Sequence, residues 1–274
     1  MINEVNSRTA EEELQQGDVL ELATGEGTPW NRHLLVVTAD CDLAYNKHSG
    51  RITCIPLLSP NEYLLEIYFP EQHGILQKTH VEAFKAALSE AGLRPPSNER
   101  LVAWCNEVDD PTEVSLAYEV PPPTTQLLQD ACEGIRIATR RWTTVQNATT
   151  DLVRSQNLIQ TGRKPDSLLK EAKKAIKQRF TQPRGDSLFL NAIAPGYEEG
   201  YFAYLRHIEQ VWEQSITLVP SRAAGGYRRI GALSERFSHA VVQRFAMVFM
   251  PIGLPDEYEE TRNAYAERLE EQLH

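Results

Sequence analysis

The chain of 274 residues has no apolar run approaching the ~18 residues that a membrane-spanning helix requires, which excludes a helical membrane protein. Its first sixteen residues are polar and acidic, without the basic-then-apolar order of a secretory signal, so a cytoplasmic protein is expected. Cysteine is scarce and scattered. Cys41, Cys54, Cys105 and Cys132 include no C-x-x-C spacing, which disfavours a disulfide framework and a zinc ribbon. Reduced thiols are expected, three of them packed as small hydrophobes. Zinc ligation by Cys41, Cys54, His48 and His33 lacks paired spacing, and a metal nuclease built on Asp40, Asp42 and Asp109-Asp110 lacks enough clustered oxygens. No metal and no cofactor is expected. A Walker loop, a G-x-S-x-G elbow, an H-E-x-x-H pair, a dinucleotide fingerprint and internal repeats are also missing.

What the chain has is an uneven charge. The formal net charge is −10, yet residues 133–184 hold twelve Lys/Arg against four Asp/Glu. A basic segment on an acidic body can contact nucleic acid; it can equally pair with that body or with an acidic partner protein.

Hydrophobic periodicity divides the chain into strands at both ends and helices between. A short helix is expected over residues 10–15, followed by strands Val19–Leu22, 33–39 and Arg51–Leu58. A helix follows over His80–Ala91, and Pro121-Pro122-Pro123 marks a module boundary. Leu128, Cys132, Ile135, Ala138, Trp142, Val145, Thr149 and Leu152 recur every three or four residues, which predicts one helix of about 35 residues. A second helix after Asp166 carries Lys170, Lys173, Lys174, Lys177 and Arg179 on its solvated side, making a basic helical hairpin. Strand patterns return at Leu188–Ile193, Gly200–Leu205, Val211–Leu218 and Tyr227–Ile230. A helix runs from Ser234 to about Met250, and an acidic amphipathic helix is expected over Asp256–His274. Gly225-Gly226 with Arg222, Arg228 and Arg229 reads as a hairpin turn with solvated arginines, a phosphate cradle being the other reading.

The expected architecture is α+β: a small SH3-like β-barrel assembled from N- and C-terminal strands, with an inserted long helical hairpin and C-terminal helices. In domain terms, residues 1–60 plus 186–274 form the β-module, 61–123 a mixed linker and helical segment, and 124–185 the basic hairpin.

The stretch Arg32-His33-Leu34-Leu35-Val36-Val37-Thr38-Ala39-Asp40-Cys41-Asp42-Leu43 stands out, a β-branched strand that breaks into an acidic loop around a thiol. Two flanking aspartates oppose a reactive Cys41 thiolate. Three readings are open: a nucleophile with His33 or His48 as its base, a structured turn in which Asp40 and Asp42 accept backbone N–H bonds around a packed thiol, or a partner- or ligand-binding loop formed by Asp40, Cys41 and Asp42.

Gly17-Asp18-Val19-Leu20, the Arg32–Thr38 strand and Ile55-Pro56-Leu57 resemble the start of the MazF/PemK family of toxin endoribonucleases over residues 17–58. The resemblance implies an SH3-like barrel and metal-independent RNA cleavage through the ribose 2′-OH, with Arg32 and Thr38 on the family's arginine and hydroxyl positions. His33 stands where the family has proline, and Asp40 and Asp42 put negative charge beside the implied phosphate site. Asp186–Leu190, Tyr204–Arg206 and Leu233–Pro255 resemble bacterial proteins of unassigned activity that share the D-C-D-L loop.

The leading functional expectation is a bacterial regulatory or adaptor protein acting by protein–protein contact, with a partner encoded nearby or a second copy of itself. A toxin–antitoxin or phage-defence setting is what the resemblance implies. The first alternative is the endoribonuclease. The second is a nucleic-acid binder using residues 133–184 and the α-helical Lys170, Lys173, Lys174, Lys177 and Arg179.

Overall fold

A computed structural model describes residues 4–25, 27–160, 162–219, 226–250, 260–265 and 267–268. The protein is α+β, and its strands lie at the two ends of the chain. They are β1 (Val5–Asn6), β2 (Asp18–Leu22), β3 (His33–Val36), β4 (Arg51–Leu58), β5 (Ser187–Leu190), β6 (Tyr201–Tyr204), β7 (Glu209–Trp212), β8 (Ile216–Thr217) and β9 (Tyr227–Leu233). They form one curled sheet in the order β1-β9-β2-β3-β4-β6-β5, with β7 added to β4 and β8 to β9. All pairs are antiparallel except β8 with β9. Strand β2 pairs on one side with β3, its neighbour in sequence, and on the other with β9, Asp18 facing Ala232. Strand β4 is long enough to hold β7 along Arg51–Cys54 and β6 along Leu57–Leu58. The sheet is a half-barrel: β1 and β5 end the strand path without pairing, and the Glu4 carboxylate beside β1 accepts from Asn191 and Ala192 beside β5.

Alternation along the strands sends side chains to two faces. Val19, Leu35, Ile55 and Leu57 lie on one, packed with Tyr201, Leu205 and Val241. Leu20, Leu34, Val36, Ile52 and Cys54 lie on the other, with Val211. Gly17 introduces β2 with φ +92°, and a Cβ there would stand 2.5 Å from Ser238 Oγ. Only glycine satisfies both the backbone and that close approach.

The helices are α1 (Pro29–Arg32), α2 (Asp40–Ala44), α3 (Pro60–Tyr63), α4 (Phe69–Glu90), α5 (Asn98–Glu107), α6 (Pro111–Leu116), α7 (Pro122–Ala138), α8 (Val145–Ile159), α9 (Pro165–Thr181) and α10 (Glu235–Phe249). A π-helical turn, Leu64–Tyr68, joins α3 to α4. Between β4 and β5 the regular structure is therefore all helical, including residues 61–123, expected as a mixed linker and helical segment. Pro122 and Pro123 are the first residues of α7, where a missing N–H breaks no helical bond. One apolar core spans Val81, Phe84, Leu101, Cys105, Val114, Leu128, Cys132 and Ile135. Another joins Leu64, Phe69, Ala148, Leu152 and Ala172.

The single 35-residue helix is corrected to two, α7 and α8. The chain leaves helical geometry at Thr139, and Thr144 caps α8 by accepting the Asn147 N–H at 3.2 Å. The apolar stripe stays in phase across the break, so periodicity did not reveal it. The helix expected over Asp256–His274 falls mostly outside the described residues; 260–265 are helical.

Helices and sheet meet through Leu58, Tyr63 and Phe202, with Phe180 and Phe189 packed beside them. Tyr63 stacks on Phe202 at 3.9 Å, and Arg179 and Arg184 both reach Glu71.

Candidate functional site

Strand β3 has a functional candidate at each end. Past its C-terminal end, Thr38 is almost fully buried. Its hydroxyl accepts the Thr53 N–H at 2.7 Å and donates to the Thr53 carbonyl at 3.4 Å. The hydroxyl is thereby committed to fastening the end of β3 to β4. Arg32 lies at the opposite end, six residues away, which is about 20 Å at ~3.3 Å per strand residue. It donates to Glu62 Oε1 at 2.5 Å and to the Gly27 carbonyl at 3.2 Å. The structure does not bring Arg32 and Thr38 together.

The D-C-D-L stretch forms the short helix α2. Asp40 Oδ1 accepts the Gln16 N–H at 2.7 Å, so it fixes the N-terminal arm rather than its own turn. Cys41 is exposed, which overturns its reading as a packed thiol; Cys54, Cys105 and Cys132 are buried. Tyr45, 74% exposed, extends the same surface.

Asp40 borders an open cleft of about 640 Å³. Its apolar floor comes from Leu14, Leu43, Ala44, Ile216 and Leu218, and its polar rim from Glu13, Asp40 and Glu213 with the neutral Gln15 and Asn46. Among the described residues that line it, none is Lys or Arg. Leu14, Leu43 and Ile216 also pack against the core beneath, so the floor continues the interior of the protein. His48 Nε2 lies 2.8 Å from Glu213 Oε2, and with the Asp42 carbonyl this raises the His48 pKa above its ordinary value. The Glu13–Gln15 wall is held from below. Arg229, 3% exposed, donates to the carbonyls of Thr9 (2.6 Å), Glu12 (2.9 Å) and Glu13 (3.1 Å), and to Asp18 Oδ2 at 3.0 Å. Burial pushes the Asp18 pKa up, while the Gln15 N–H, Arg229 and Arg8 act to lower it.

At the other end of β3, polar residues enter the core face. Glu21 lies opposite His33 in the β2–β3 register, with His33 Nε2 3.3 Å from Glu21 Oε1. Tyr197 donates to the same oxygen at 2.9 Å, and Arg228 Nε to Oε2 at 2.7 Å. Burial acts to raise Glu21, but Arg228, Tyr197 and His33 together hold it below the ordinary carboxylate range. The His33 ring is edge-on to Tyr197 and Tyr201, and its Nδ1 is buried without a hydrogen-bond partner. This knot ties β2, β3 and β9 to the 197–201 connection. Arg228 and Arg229 are thus strand residues engaged in pairs, not solvated turn residues; Arg222 and Gly225 lie outside the described residues.

In α9, Lys170, Lys173, Lys174 and Lys177 are exposed, whereas Arg179 is half-buried against Glu71 and 5.4 Å from the Tyr68 ring centre. Among the described residues no group of three His, Cys, Asp or Glu side chains is placed to hold a metal ion. No described helix is long and apolar enough to cross a membrane.

The chain matches no family model, no curated protein and no solved structure. Sequence reasoning had singled out Asp40 but missed Glu13 and Glu213, which only the fold brings beside it. It also missed the cross-strand Glu21–His33 pair. The available signal was a polar residue within each of two apolar runs, Glu21 in Val19–Leu22 and His33 at the head of β3.

Proposed function

We propose that this protein is an adaptor that binds a protein partner in the cleft beside α2. The observation that carries this reading is the pairing of an apolar floor with a polar rim whose charged residues, Glu13, Asp40 and Glu213, are all acidic. Such a surface fits an amphipathic segment bearing Lys or Arg: the apolar side chains supply contact area, and the charges set orientation and speed encounter. Asp40 belongs to the rim, and exposed Cys41 and Tyr45 lie beside it. A bacterial toxin–antitoxin or phage-defence locus is the setting in which the partner is sought, as the product of an adjacent gene. Co-expression is expected to yield a stable complex, and Glu13→Lys/Glu213→Lys is expected to weaken it at least tenfold. A protein that purifies alone from co-expression, or a double variant that binds its partner like wild type, sinks the proposal.

A second reading, a MazF/PemK-like ribonuclease on an SH3-like sheet, draws support from one placement. Arg32 sits at the end of β3 that also holds the His33–Glu21 pair, a carboxylate–imidazole arrangement suited to proton transfer. In this reading Arg32 acts with Glu21 and His33 rather than with distant Thr38. RNA cleavage in EDTA that is lost in Arg32→Ala supports it; activity that survives the substitution removes it.

A further inference from the structure

Six of the seven arginines in the basic segment, residues 133–184, meet a carboxylate of the molecule; Arg141 is exposed and in no ion pair among the described residues. Arg136 and Arg154 share Glu133, Arg140 meets Asp151, Arg163 meets Glu171, and Arg179 and Arg184 share Glu71. Those arginines are neutralised within the molecule. The lysines are not: Lys170, Lys173, Lys174 and Lys177 stand exposed, in no ion pair among the described residues. Their spacing of three, one and three residues puts them on one face of α9. Helix α9 buries its other face, with Leu168 and Ala172 enclosed and Ile176 and Phe180 packed on the cores beneath.

We infer that this lysine face binds the phosphodiester backbone of nucleic acid, without sequence preference and independently of the cleft. Three kinds of polyanion present themselves, and chemistry separates them. An anionic membrane would need an apolar face to insert beside the charges, and the apolar face of α9 is already covered. A protein interface is built around aromatic, Met and Arg anchors with lysine depleted, and the cations of this face are all lysine. Repeating phosphates ask only for point charges at intervals, which is what ammonium groups provide. Four such groups span about 10 Å at ~1.5 Å per helical residue, enough for a few successive phosphates.

The test is binding of fluorescent 30-nucleotide RNA and DNA, single- and double-stranded, to the full chain between 50 and 200 mM salt. Four neutralised phosphates predict a duplex log–log salt slope of about −3 to −4, or roughly a hundredfold loss across that range. Lys173→Glu/Lys177→Glu is expected to weaken binding at least tenfold at 50 mM salt and to flatten the slope by about 2. Lys78→Glu/Arg94→Glu, an equal change of charge at exposed positions elsewhere, is expected to leave binding within about threefold of wild type. The four nucleic acids distinguish RNA from DNA as the source of the phosphates. No binding at 50 mM salt overturns the inference, as does equal loss in both double variants. It is also overturned if the α9 variant instead abolishes capture of anionic vesicles or self-association while nucleic-acid binding persists.

Discussion

In the sheet, the charges drawn in from water are held in pairs: buried Asp18 with Arg229 and Arg8, and part-buried Glu21 with Arg228. In the helical half the polar groups drawn in are neutral. His73 and His80, seven residues apart on α4, turn the same face toward α8. His73 Nε2 lies 3.2 Å from the Ala148 carbonyl and His80 Nε2 3.0 Å from Ser155 Oγ, themselves seven apart. His73 stacks on Trp142 at 3.9 Å, and His80 fills the space that a side chain at Gly134 would occupy. Burial lowers the pKa of both histidines, that of His80 to about 4. The difference teaches how each half can fail. The sheet joins segments far apart in the chain through charges that tolerate no missing partner. The helices are joined through imidazoles that tolerate no added proton.

Removing one member of a sheet pair is the most damaging way to break this contrast. Arg229→Met leaves the buried Asp18 carboxylate with Arg8 as its one remaining cation and frees the Thr9, Glu12 and Glu13 carbonyls, and is expected to destabilise by about 3–5 kcal/mol in urea unfolding. The Glu13–Gln15 wall of the cleft should loosen with it.

Acid probes the other half. A histidine whose pKa is lower folded than unfolded binds more protons when unfolded, so stability is full above pH 6.5 and falls toward pH 4. For His80 the loss approaches about 3 kcal/mol. The urea midpoint should drop across that window, with Trp142 emission reporting early. His80→Asn, measured alongside, should flatten the profile; an unchanged profile would show that another group carries it. The smallest effect expected is at the sheet's neutral fastening, where Thr38→Val loses its hydroxyl bonds to Thr53 and about 1 kcal/mol of stability. Thr38→Ser should retain most of it.

Much of this organisation was legible in the sequence, and the exceptions have physical reasons. Short apolar runs marked β2, β3 and β4, and the return of strand patterns after Asp186 anticipated a sheet drawing on both chain ends. The exposure of the α9 lysines followed from helical phase. Periodicity could not expose the Thr139–Thr144 break because the stripe resumes in step, although Thr144 and Asn147 have the spacing of a cap. Helices α5 and α6 are short and flanked by prolines, so they looked like linker. The partners of Arg228 and Arg229 are Glu21 and Asp18, more distant in sequence than any local pattern reaches. The cleft was hidden for the same reason, since its walls come from the N-terminal arm, α2 and the chain around Glu213.

The position of β2 between β3 and β9 has a consequence for how the molecule is made. Strands β2, β3 and β4 leave the ribosome early, but β9 emerges only after the whole helical half and strands β5 to β8. At ~5–20 residues per second, the edge of β2 waits on the order of ten to forty seconds for its second neighbour. The helices, whose two apolar cores are built from helical residues alone, can pack during that wait. The last strand to appear thus completes the sheet around the first, and until then the nascent chain carries an open edge to which another chain could pair.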